Sequence, residues 1–205
     1  PGEFSHYVAL KSLKILHFLG LTRILLNNRN EEAKHENKDI NKLTNKVGIA
    51  AGLDKNGEYI DSLASLGISF IEVGTVTPRP QKGNPKPRIF RNLKEKSLLN
   101  RLGFNNKGVD YLVQNLKNRK TNIFVGTSIG KNFDTPNEMA SDDYTYCLEK
   151  VYEYSDYIAI NISSPNTQDL RDLSKIEYLD KLLELIKRKQ KDLSNVFGYK
   201  SIFIK

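Results

Sequence analysis

From Val47 onward, short β-branched runs alternate with stretches whose apolar residues recur at helical spacing. Val47–Ala51, Ser69–Val73, Asn122–Val125, Tyr157–Ile160 and Ser201–Ile204 read as strands. Between them, Tyr144, Leu148, Val151 and Tyr152 follow the i, i+4, i+7, i+8 rule of one buried helical face, and Leu179, Leu182, Leu183 and Ile186 do the same after Ser174. Strand, helix and strand at this cadence require crossover connections, which make strands parallel and cover them with helices. Ahead of this region, residues 5–28 predict a helical hairpin broken at Gly20, and residues 29–45 a polar linker. Thr77–Arg88 carries Pro78, Pro80, Pro85 and Pro87 and reads as a stiff excursion, neither helix nor central strand.

Period alone does not distinguish an open doubly wound sheet from a closed barrel. The open dinucleotide-type sheet carries G-x-G-x-x-G after its first strand, whereas here Gly52 is followed by Leu53-Asp54-Lys55. The expected class is therefore α/β, a (β/α)8 TIM barrel. Such a barrel takes about 250 residues, and the pattern holds only five strands before Lys205. The expectation is the front portion of a longer protein: a helical segment over 1–28, a linker over 29–45, and the first part of a barrel over 46–205.

Composition narrows the picture. The chain has 205 residues, 39% of them apolar, which predicts one folded domain and excludes a disordered tail. Its net charge of +8 comes from dispersed lysines, the signature of a solvated surface, and no nucleic-acid partner is expected. A basic, non-enzymatic α/β domain that grips RNA or anionic lipid is the alternative reading. The single cysteine, Cys147, has no partner for an internal disulfide, and His6, His17 and His35 are too scattered to hold a metal. Lys11, Lys14 and Arg23 interrupt the apolar stretch from Tyr7 to Leu26, so it falls short of the ~18 uncharged residues of a bilayer span. An apolar, basic-edged helix pair suggests a surface that rests on a membrane or covers an entrance; simple packing on the barrel is the plainer reading.

Chemistry-bearing residues cluster where strands end, the place where parallel α/β folds bind ligands. Ala50-Ala51-Gly52-Leu53-Asp54-Lys55 would let a planar ring approach the backbone beside an ammonium, or simply form a tight turn. Asn100-Arg101-Leu102-Gly103-Phe104-Asn105-Asn106 offers amides suited to a heterocycle with ring N–H and C=O groups, although Asn105 and Asn106 are better read as caps of the next helix. In Asn161-Ile162-Ser163-Ser164-Pro165-Asn166-Thr167 a hydroxyl and two amides converge. No G-x-S-x-G elbow surrounds Ser164 and no histidine lies in the barrel-forming part, which argues against a serine hydrolase. Cys147 and the tyrosines around it fall at core spacing.

Together with Glu72-Val73-Gly74-Thr75-Val76-Thr77-Pro78-Arg79-Pro80-Gln81, these segments resemble the quinone-dependent, membrane-associated class 2 dihydroorotate dehydrogenases over about Ser5 to Lys205. The resemblance implies an FMN-containing barrel that oxidises dihydroorotate to orotate in pyrimidine (UMP) synthesis and passes electrons to a ubiquinone-type quinone. It implies that Ser164 is the catalytic base where the soluble class carries cysteine, with hydride going to flavin N5. By position, Ala51, Gly52, Lys55, Thr75, Ser128, Asn161 and Lys205 match flavin contacts, and Lys55, Asn100, Gly103, Phe104, Asn161 and Asn166 match orotate contacts. Ser128 departs from the asparagine many members carry. The later strands, the flavin-phosphate glycines and further orotate contacts are expected beyond Lys205, so residues 1–205 alone are not expected to hold FMN. A monomer is implied, with peripheral membrane contact through residues 5–28, at the cytoplasmic face of a bacterial inner membrane or, in a eukaryote, at the mitochondrial inner membrane.

Overall fold

The computed structural model describes residues 2–25, 43, 46–167 and 169–205. The helical hairpin forms as α1 (Gly2–Phe18) and α2 (Leu21–Leu25), broken at Gly20, whose φ of +72° suits glycine. The linker lies outside the described residues apart from Leu43. There follow β1 (Gly48–Ile49), α3 (Ile60–Ala64), β2 (Phe70–Val76), β3 (Ile89–Asn92), β4 (Ser97–Asn100), α4 (Val109–Asn118), β5 (Phe124–Ile129), α5 (Ala140–Val151), β6 (Tyr157–Ile160), α6 (Ile176–Phe197) and β7 (Ser201–Ile204).

Five strands make one parallel sheet in the order β1-β2-β5-β6-β7. Spatial order equals chain order. A doubly wound sheet reverses its order part-way, and among the described strands no such reversal occurs. The period-2 alternation of each strand divides the sheet into two faces. Ile71, Val73, Val125, Ile129, Ile158 and Ile160 point to one face and form a continuous core with Leu112 and Leu116 of α4, Tyr144, Leu148 and Val151 of α5, and Leu182 and Ile186 of α6. Cys147 is fully buried there, its thiol pushed up by desolvation, consistent with a packing role.

The opposite face carries Phe70, Phe124, Tyr157 and Ala159, with Leu43 against them. At its centre Gly126 faces Tyr157 in register, and a Cβ on Gly126 would fall 2.0 Å from the tyrosine ring. Glycine here leaves a gap through which Tyr157 lies flat across β5. The ring is held by Phe124 (stacked, 5.8 Å between centroids) and Phe203 (edge-on, 5.4 Å).

One element was not anticipated. Within the loop after β2, β3 and β4 pair as a separate antiparallel hairpin, Ile89 opposite Asn100. Its apolar residues do not alternate with polar ones, and Phe90, Leu98 and Leu99 are exposed, so the period-2 signature of a half-buried strand is missing. The Thr77–Arg88 excursion is pinned by amides instead of a regular ladder. Asn132 Nδ2 donates to the Arg79 carbonyl (3.0 Å) and Gln81 Oε1 (2.9 Å) while its Oδ1 accepts the Arg79 N–H (3.0 Å).

Helix α1 is fastened by polar contacts as much as by packing. Glu3 pairs with the buried Arg88 guanidinium (2.7 Å), His6 Nε2 meets the Leu53 carbonyl (2.7 Å) and Lys14 donates to the Glu58 carbonyl (2.9 Å). Leu10 enters the core, whereas Phe4, Tyr7, Ile15, Phe18 and Ile24 of the hairpin are exposed. No helix among the described residues is long and apolar enough to cross a membrane.

Candidate active site

The strand ends on the Tyr157 face of the sheet carry a linked set of polar groups. At the end of β2 a Cβ on Gly74 would sit 2.3 Å from the Ser128 carbonyl oxygen, so β2 and β5 approach closely only because residue 74 is glycine. Next to it the Thr75 hydroxyl lies 2.9 Å from the Ser128 hydroxyl and accepts a hydrogen bond from Asn161 Nδ2 at 2.8 Å. All three residues are buried. Three strand ends are thereby joined by side chains, and the geometry of each constrains the others. The Asn161 carbonyl in turn accepts the Tyr144 hydroxyl from α5 (2.7 Å), which ties the site to the core.

The β1–α3 loop adds a backbone approach and a charge. Asp54, buried, accepts the Glu58 and Tyr59 N–H groups (2.9 and 2.8 Å) and closes the turn that starts α3; desolvation raises its carboxyl pKa. The Gly52 N–H donates to the Gly74 carbonyl at 2.8 Å. Gly52 has φ +111°, and a Cβ there would meet nothing within 4 Å. The backbone is exposed to open space at a point where a flat ligand could lie against it. Lys55 is half-buried and donates to Asn105 Oδ1; burial, together with the Arg88 charge, lowers its pKa to about 8. An ammonium held against its desolvation cost, with no carboxylate among the described residues bonded to it, is suited to an incoming anion.

The amide segments meet across the mouth. Asn166 Nδ2 donates to Asn100 Oδ1 (3.4 Å), Asn84 Nδ2 to the Asn166 carbonyl (3.2 Å), and Gln81 Nε2 to the Gly103 carbonyl (3.1 Å). Gly103 has φ +68°, and a side chain there would strike Asn84. Phe104 and Thr75 both crowd Gly130, where a Cβ would lie 3.0 and 2.9 Å from them. Ser164 is half-buried, and its Oγ accepts the Asn166 N–H at 3.3 Å. Lys205, at the end of β7, donates to Glu72 Oε1 at 3.1 Å.

A family model described as dihydroorotate dehydrogenase matches residues 37–205. The chain belongs to the dihydroorotate dehydrogenase family. Among curated proteins it is 50% identical over 197 residues to dihydroorotate dehydrogenase (quinone) of Acinetobacter baylyi, covering 96% of this chain and 58% of that protein. It is 56% identical over 156 residues to the enzyme of the same name from Psychrobacter arcticus, covering 76% of this chain and 45% of that protein. Among solved structures, the dihydroorotate dehydrogenase of Eimeria tenella in complex with ferulenol matches with a TM-score of 0.78 at 30% identity, covering 98% of this chain and 58% of that one. The chain thus spans about half the length of these relatives. Its parallel sheet and the Eimeria likeness fit a TIM-barrel-like fold.

Against this family background, the sequence-derived residues fall into four groups. Thr75, Ser128 and Asn161 are directly bonded together; Asn100, Asn166 and Ser164 form a second chain; Gly103 and Phe104 border both through Asn84 and Gly130; Lys55 and Lys205 each engage a partner not anticipated. Ala51 precedes Gly52 on the open turn. Ser128 joins the network through its hydroxyl contact with Thr75. Asn105 is a correction: it bonds Lys55, and α4 begins at Val109 after Gly108 without a side-chain cap, because Asn106 closes the preceding turn onto Gly108 N–H and Thr77. Glu72, Asn84 and Gln81 were also missed. Glu72 was hidden because a charged residue inside a strand pattern reads as solvent-facing.

Proposed function

We propose that this chain forms part of an FMN-dependent enzyme that oxidises dihydroorotate to orotate with a quinone as electron acceptor. The observation that carries the reading is the bonded set Thr75–Ser128–Asn161 across three strand ends, beside the open backbone at Gly52. These residues fit a flavin: the space a Cβ would fill at Gly52 admits a flat ring, and neutral hydroxyl and amide groups match its ring N–H and C=O edge. Ala51, Gly52, Lys55, Thr75, Ser128, Asn161 and Lys205 would hold it. When bound, FMN supplies hydride acceptance at N5 and electron delivery to quinone.

The chain's own residues handle the substrate and its proton. Lys55 offers an ammonium to the dihydroorotate carboxylate, and an arriving anion restores the solvation that burial removed. Asn100, Asn161 and Asn166, with the Gly103–Phe104 backbone, present donors and acceptors to the ring amides. Ser164 Oγ takes the proton from one ring carbon as hydride leaves its neighbour. An alcohol is a weak base at neutral pH, so this role needs a fixed oxygen and an onward route for the hydroxyl proton. The Asn166 N–H on Ser164 Oγ supports the first requirement. The exposed apolar residues of α1 and α2, with Lys11 and Lys14 among them, support peripheral contact with a membrane that holds the quinone.

The full-length protein tests the reading. It is expected to purify with a flavin spectrum, to bleach on anaerobic addition of dihydroorotate, and to recover on addition of a short-chain quinone. A colourless protein, or a flavin that dihydroorotate leaves oxidised, refutes it. Steeply salt-dependent RNA binding by a flavin-free protein would favour the alternative of a basic binding domain.

A further inference from the structure

Glu72 is a carboxylate in the middle of β2, in register with Gly126 and Tyr157, and its side chain is only 14% exposed. It accepts the Tyr157 hydroxyl at Oε2 (3.0 Å) and the Lys205 ammonium at Oε1 (3.1 Å). Tyr157 belongs to β6, two strands away, and reaches Glu72 only through the gap at Gly126. Its ring is fixed between Phe124 and Phe203, and burial with the neighbouring carboxylate pushes its phenol well up, so it remains a donor. Lys205, directly after β7, is the more exposed partner. The carboxylate, held by the Tyr157 hydroxyl, is the more buried member of the ion pair.

We propose that Glu72, gripped by Tyr157 across Gly126, is a positioning residue that draws the Lys205 ammonium down onto the sheet and limits the positive charge Lys205 presents to a bound flavin. The inference rests on the flavin reading above. A flavin that has taken up hydride without a further proton is an anion, and an unshared ammonium nearby favours that form. A carboxylate competing for the same ammonium opposes it. The Glu72–Tyr157 pair then tunes how readily the flavin accepts hydride while remaining one layer below the reacting groups.

The experiment is a reductive titration of the flavin-loaded full-length protein against an indicator dye of known potential. Glu72→Gln is expected to favour the reduced flavin about tenfold, a shift of about 30 mV to more positive potential for a two-electron couple. Lys205→Met shifts the potential the other way, and adding Glu72→Gln to Lys205→Met produces no further change. Tyr157→Phe removes the grip that fixes Glu72, loosens its pairing with Lys205, and moves the potential positive. An unchanged or more negative potential in Glu72→Gln overturns the proposal, as does an equal shift with and without Lys205. If Glu72→Gln does not fold, an unchanged potential in Tyr157→Phe overturns it alone. A second readout needs no flavin: Lys205 acetylation by acetic anhydride, followed by mass spectrometry, should be several-fold faster in Glu72→Gln. An equal rate removes the pairing on which the proposal stands. A flavin-free wild-type protein refutes the reading in the preceding subsection and the tuning role with it, whereas a flavin-bound protein with unmoved potentials refutes the tuning role only.

Discussion

Replacing Lys55 by Met should make the protein more stable and disable it. In the folded state burial and the nearby Arg88 charge lower the Lys55 pKa from an ordinary 10.5 to about 8. At 1.36 kcal/mol per unit, holding the ammonium at neutral pH costs the fold about 3 kcal/mol. Met fills similar space without charge. Its own cost is the orphaned Asn105 Oδ1, about 1 kcal/mol. The net gain is about 2 kcal/mol, or roughly 4–8 °C in melting temperature for a chain of this size. The sign with pH follows from which state holds the proton. Between about 8 and 10.5 the unfolded lysine is protonated and the folded one is not, so wild-type stability rises with pH through that window. The variant lacks this slope, and its advantage should therefore be full at pH 7 and largely gone by pH 10.5. Urea denaturation of both proteins at pH 7, 9 and 10.5 measures it, with orotate binding alongside. A Lys55→Met protein no more stable than wild type at pH 7, or an advantage that persists undiminished at pH 10.5, refutes the reasoning.

Ser164→Ala should slow flavin reduction by dihydroorotate by about 10²–10⁴-fold while leaving orotate affinity within a few-fold, since a base acts in the transition state; stopped-flow bleaching and orotate titration of the flavin spectrum separate the two, and equal losses contradict the role. Gly126→Ala should cost about 2 kcal/mol in chemical denaturation, because the new Cβ meets the Tyr157 ring at 2.0 Å; a neutral outcome would show that the gap is not needed. Glu3→Gln leaves the Arg88 guanidinium short of its charged partner and should cost about 2 kcal/mol, with faster proteolysis within α1. Arg88 holds the Glu3 carboxyl below its usual range, so the wild-type advantage over Glu3→Gln is present above the ordinary carboxylate pKa and disappears as pH falls through the depressed one. Denaturation at pH 7 and pH 3 checks it.

The strands of the main sheet were legible in place but not in extent: β1 is Gly48–Ile49 where Val47–Ala51 was expected, β2 runs on to Val76, and β5 is Phe124–Ile129 where Asn122–Val125 was expected, because Gly126-Thr127-Ser128 interrupt the apolar run inside a fully buried strand. Tyr144, Leu148 and Val151 sit where the helical pattern puts them, and β6 and β7 end at the predicted residues. Parallel order followed from cadence, and the absence of G-x-G-x-x-G pointed away from the doubly wound sheet. The β3–β4 hairpin was not legible, since neither strand alternates and both lie exposed on the surface. Among the candidate residues, long motifs picked out Thr75, Asn161 and Asn166, and the hydrogen bond between Thr75 and Asn161 needs only that the strand ends be adjacent. Asn105 was misread because an asparagine before a helix satisfies the capping pattern equally well; only the fold brings Lys55, fifty positions earlier, to its side chain. Glu72 and Tyr157 were missed for a related reason. Their partnership depends on an intervening glycine in a third strand, a relation that no single segment encodes.

Strand order that follows chain order also bears on how the polypeptide is made. Each described strand after β1 docks beside one already synthesised, so a nascent chain emerging from the ribosome can extend this part of the sheet strand by strand. Only the β3–β4 insert postpones a pairing, that of β2 with β5. Loop closure for every other neighbour spans one α-helix, preceded by a short 3-10 turn in the β5–β6 and β6–β7 connections, which keeps the entropic barrier to each addition small for a fold built on parallel pairing.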